Sequence, residues 1–115
     1  MAENGTGIVI ANTRSEHFAS KIGNDFALVH DEWSLPVTLA VHRENPEAAG
    51  PDSQRTPFLL VFRADLDENN PLQHALEFHG AIHGLADGPI DGLLINRTLR
   101  PSDQPEGAYF QVAFA

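Results

Sequence analysis

Three histidines, His74, His79 and His83, fall within a stretch of ten residues, and imidazole is the commonest transition-metal ligand. A shared site needs them on one side of the backbone. His74 and His79 are an odd number of residues apart, so in a regular strand they face opposite ways. They are the chain's weak metal candidates, and solvated or hydrogen-bonded side chains are the simpler expectation. Asp65-Leu66-Asp67-Glu68-Asn69 opens like a calcium loop, with oxygen ligands at alternate positions. That motif needs a glycine sixth and a bidentate glutamate twelfth. Asn70 and Leu76 stand there instead. An acidic turn ending on Asn70-Pro71 explains the segment without metal.

Covalent chemistry has no better support. The chain has no cysteine, which removes thiolate nucleophiles, thiolate metal sites and disulfides together. Ser15, Ser20, Ser34, Ser53 and Ser102 lie outside any Gly-x-Ser-x-Gly elbow and beside no evident base. Gly80, Gly84 and Gly88 are four residues apart but match no phosphate-cradling pattern, so they read as turn residues. Carboxylate pairs are recognised by geometry, and sixteen acidic residues guarantee chance neighbours. The residues predict no catalytic site, no cofactor and no metal.

The elements that would position these side chains are mostly strands. Eight prolines and nine glycines in 115 residues imply many turns, which suits short strands. Thr13-Arg14-Ser15-Glu16 has the form of a capping box. Phe18, Ala19 and Ile22 follow on one face, and Gly23 supplies a stop. These predict a helix over Arg14 to Ile22. From Phe26 the period becomes two. Phe26 and Leu28 alternate with Ala27 and Val29, and after a turn at Asp31-Glu32 the odd positions Trp33, Leu35, Val37, Leu39 and Val41 are apolar. One core face and one mild outer face result. Pro36 cannot donate to a ladder, which predicts a sheet edge or a bulge there.

Glu44 to Pro57 reads as a loop. Phe58 to Phe62 is apolar throughout, which predicts cover on both faces, one of them from the helix. Leu76 and Phe78, then Leu93 to Ile95, mark further strands, and Phe110, Val112 and Phe114 share a face in the last. The expected class is α+β, mostly β: an antiparallel sheet or a small, partly open barrel of about 5–7 strands with one short N-terminal helix. It forms a single domain over residues 1–115.

Sixteen acidic residues against seven basic ones give a net charge of -9. Such a surface disfavours nucleic acid and anionic membrane as partners. No apolar run reaches the roughly 20 residues of a bilayer span. Met1 to Thr6 does not read as a secretory signal, so the expected location is the cytoplasm or an assembled particle. The glycosylation-type triplets Asn4-Gly5-Thr6 and Asn96-Arg97-Thr98 carry no weight in that setting.

The order of features resembles a family of short, uncharacterised bacterial domains of unknown function. The resemblance rests on Phe18, Gly23 and Phe26; Phe58-Leu59-Leu60-Val61-Phe62; Gln73 and His79; Leu93-Leu94-Ile95; and Gly107, Tyr109 and Phe114. It spans roughly residues 15–115. The chain departs from the pattern at Asn96-Arg97, where the family's leucine-rich strand runs into a proline. The family's genes are often found beside phage tail-collar-like or fibre-like proteins. The resemblance implies an accessory or structural part of a phage-tail-like assembly and no catalytic residues.

Two functions are then expected. The first is a structural or protein-interaction module that binds itself or a protein partner through an exposed edge near Pro36 or the outer face carrying Thr38, Ala40 and His42. The alternative is a small β-barrel carrier enclosing an apolar ligand among Trp33, Phe58, Phe62 and Phe78.

Overall fold

The computed structural model describes residues 10–53 and 55–115. The period-two segments become six strands: β1 (Asp25–His30), β2 (Trp33–Glu44), β3 (Phe58–Ala64), β4 (Glu77–His83), β5 (Ile90–Thr98) and β6 (Ala108–Phe114). Every neighbouring pair is antiparallel, and the sheet closes on itself in the order β1-β2-β3-β6-β5-β4. The fold is the expected mostly-β class, and the barrel is closed. Asn4-Gly5-Thr6 and most of the apolar run Ile8 to Ile10 lie outside the described residues.

Alternation puts one side chain in two inside. Phe26 and Leu28 of β1, Leu35, Val37 and Leu39 of β2, and Phe58, Leu60 and Phe62 of β3 are buried in the core. Phe78 and Ile82 of β4, Ile90, Leu93 and Ile95 of β5, and Phe110, Val112 and Phe114 of β6 join it, the last three sharing a face as their spacing predicts. Val61, on the other side of β3, is also buried, but no helix among the described residues covers that face.

The helix expected over Arg14 to Ile22 is reduced to a single 3-10 turn, Ser15–His17. Across that turn His17 Nδ1 accepts the Arg14 N–H at 2.8 Å and the Arg14 carbonyl accepts the His17 N–H at 3.0 Å. Packing explains why no regular helix extends. Phe18 is fully buried and touches the rings of Phe26, Phe58 and Phe114. That anchor draws the chain into the barrel mouth within one turn, and tertiary burial outweighs a short helix's weak propensity. Gly23 does take the predicted positive φ, 90°.

The barrel has two ends, each with its own stopper. The far end carries the segment before β1, the β2–β3 loop and the β4–β5 turn, and Phe18 fills it. Arg55 tightens this end by donating to the carbonyls of Ala115 (2.7 Å), Thr13 (2.7 Å) and Ile10 while lying over the stacked rings of Phe58 and Phe114. Burial, and then the nearby Arg14 charge, lower its pKa from the ordinary arginine value. The hairpin end carries the β1–β2 turn at Asp31-Glu32, the β3–β4 connection and the β5–β6 connection. It is stopped by the 3-10 turn Pro71–His74, whose Leu72 reaches the core.

Candidate interaction surface

The histidines are spread over different surroundings. His74 lies in the 3-10 turn and donates from Nε2 to the Glu68 carbonyl at 2.9 Å. His79 and His83 are exposed on β4. A register shift between Gly80 and Ile82 separates them. They border a shallow groove with His30, Asp31 and Asp91. His30, which sequence reasoning passed over, donates from Nδ1 to the His79 carbonyl at 2.6 Å. Among the described residues no three His, Cys, Asp or Glu side chains converge as a metal-ligand set. The calcium-like segment is held as an acidic turn: Asp67 Oδ1 accepts the Asn69 N–H at 2.9 Å, and Arg63 pairs with Asp65.

The proposed outer face of β2 is only partly assembled. Pro36 is exposed, and Thr38 and Ala40 are half-buried. Two surface depressions of about 290 Å³ each meet at this face, sharing Thr38 and Arg63. His42 does not join them. A bulge between Leu39 and Val41 inverts the alternation, so His42 stands opposite Leu60 on the core side of the ladder. There its Nε2 sits 2.6 Å from Ser15 Oγ, and its ring approaches Phe58. The bulge lies four residues past Pro36 rather than at it. Pro36 is accommodated because β3 pairs with β2 only from Thr38 onward, which leaves a local edge before it. Ser34, on that edge, accepts a bond from the Asn70 side chain at 3.1 Å.

The hairpin end shows what sequence reasoning missed. Trp33, expected inside the barrel with Phe58, Phe62 and Phe78, is 45% exposed at the rim; the other three are core. Leu66 is 61% exposed, Leu76 84% and Leu99 89%. Strand pairing, a ring contact and short steps along the chain relate Trp33, Leu76 and Leu99. Trp33 stands opposite His30, His30 packs on Phe78 with ring centroids 6.0 Å apart, and Phe78 is two residues from Leu76. The Leu76 carbonyl accepts the Arg97 N–H at 2.8 Å, two residues before Leu99.

Gln73 ties the remaining member in. It is nearly buried, and its side chain accepts from the Asp67 N–H (2.9 Å) and donates to the Asp65 carbonyl (2.6 Å), on either side of Leu66. Its own carbonyl accepts from Arg97 at 2.6 Å, and the Arg97 guanidinium covers the Phe110 ring. A rigid polar hub therefore holds exposed apolar residues around one mouth of the barrel. Spacing could not reveal this, because Leu66, Leu76 and Leu99 belong to connections or strand ends rather than to an alternating face.

No helix among the described residues is long and apolar enough to cross a membrane. Compared with family models, curated proteins and solved structures, the chain matches none.

Proposed function

We propose that the protein is a non-catalytic interaction module that works through contacts made at the hairpin end of its barrel. The observation that carries this reading is the exposure of Trp33, Leu66, Leu76 and Leu99 around one mouth. Among the described residues Ile22, before β1, and Leu94, on β5, are the other exposed large apolar side chains, so four of the six stand in or beside the connections of this end. Apolar clusters rimmed by polar groups are favourable places for protein contact, since covering them removes apolar area from water. The resemblance drawn from the sequence adds an expected setting, a phage-tail-like or fibre assembly, and tail-collar or fibre-like proteins are the first partners to try.

The outer face of β2, with Pro36, Thr38 and Ala40 between two depressions, offers a second contact surface. Photo-crosslinking separates the two. A benzophenone side chain placed at Leu99 should give a discrete protein adduct in native lysate, and one at Thr38 a weaker one. A strong adduct at Thr38 alone would move the function to β2. Adducts at neither position would contradict an interaction role.

A further inference from the structure

The apolar mouth sits inside a ring of negative charge. Asp31 and Glu32 occupy the β1–β2 turn, Asp65, Asp67 and Glu68 the β3–β4 connection, and Glu77 the start of β4, all exposed. Across the three connections of this end the basic side chain is Arg100. Arg63, at the end of β3, pairs with Asp65 at 2.9 Å and also donates to the Glu106 carbonyl, and Arg97 donates to the Gln73 carbonyl, so the acidic residues of this end still outnumber the basic ones around it. Resting on the interaction role proposed above, we infer that the hairpin end docks a segment of another protein that presents apolar side chains among lysines or arginines.

Two physical terms select that occupant. The four apolar side chains reward burial against other apolar atoms. The carboxylate ring makes the encounter fastest and most favourable for a cationic partner. A second copy of this chain is the poorer fit. An isologous contact would bring one acidic ring against the same ring on its partner, with like charges facing one another.

Trp33 is the chain's single tryptophan and stands at the rim, so its fluorescence reports occupancy of the mouth. The probes are a short amphipathic leucine–lysine peptide, a leucine–glutamate peptide of the same pattern, and a serine–lysine peptide. The leucine–lysine peptide should shift Trp33 emission to shorter wavelength saturably, more weakly at high salt. The other two should bind at least about tenfold less tightly.

Leu76→Asp with Leu99→Asp should weaken binding about tenfold or more without unfolding, as both side chains already face water. Neutralising Glu32, Glu68 and Glu77 to glutamine should also weaken it. Neutralising Glu16, Glu47 and Asp87, which lie toward the far end, should not. Equal losses from the two triple variants would mean that net charge alone binds the peptide, which overturns the inference. Equal binding of the leucine–glutamate peptide, or no saturable shift, overturns it too. A self-adduct at Leu99 in the crosslinking experiment, without peptide binding, would leave the interaction role standing and remove only the basic partner.

Discussion

At the scale of single residues, two positions set the geometry of the mouth. Gln73 satisfies the Asp67 N–H and the Asp65 carbonyl from a nearly buried position. Gln73→Ala removes both of these part-buried bonds, each worth about 0.5–1.5 kcal/mol. Urea denaturation should register that loss, and Trp33 emission should change as the rim loosens. Gly80 is the second position. A Cβ there would lie 2.4 Å from the Val29 carbonyl oxygen of β1, so backbone must shift. Gly80→Ala should cost about 1–3 kcal/mol and show first as faster amide exchange along the β1–β4 ladder. The glycine itself was visible in the sequence as a turn marker. Its true role, close approach of two strands, depends on a neighbour fifty-one residues away and has no local signature.

At the scale of elements, strands were legible and stoppers were not. The alternation in β1, β2 and β6 follows directly from where side chains must go when one face is buried. It misled at Trp33, which stands exposed at the rim, and where a bulge intervened: the shift after Leu39 carried His42 across to the core side. The N-terminal helix failed for a related reason. Capping-type residues and an apolar stripe were present, but the burial of Phe18 against three other rings decided the conformation. Phe18→Ala should therefore behave as a core deletion, costing about 3–5 kcal/mol in thermal or chemical denaturation, whereas a side chain on an exposed helix would cost far less. The closing strand is more demanding still. β6 pairs with both β3 and β5, so removing residues 110–115 opens the barrel and exposes two ladders. The truncated chain should fail to fold as a soluble species; a retained cooperative thermal transition would contradict this.

At the scale of the whole molecule, the chain fills a closed barrel and leaves four large apolar side chains at one mouth, inside an acidic ring. The net charge of -9 was plain from composition, and the expectation of no polyanionic partner rests on it. Its focusing around the hairpin end was not readable, because three connections far apart in sequence contribute to it. The apolar cluster was hidden likewise, since an isolated leucine in a loop carries no periodic signal. The central claim, function by protein contact at this end, meets its most direct test in capture from native lysate. The intact protein is compared with the doubly substituted Leu76→Asp, Leu99→Asp form. The account predicts a discrete partner retained by the first and lost from the second, with circular dichroism of the two unchanged. The same set of captured proteins from both forms would contradict it.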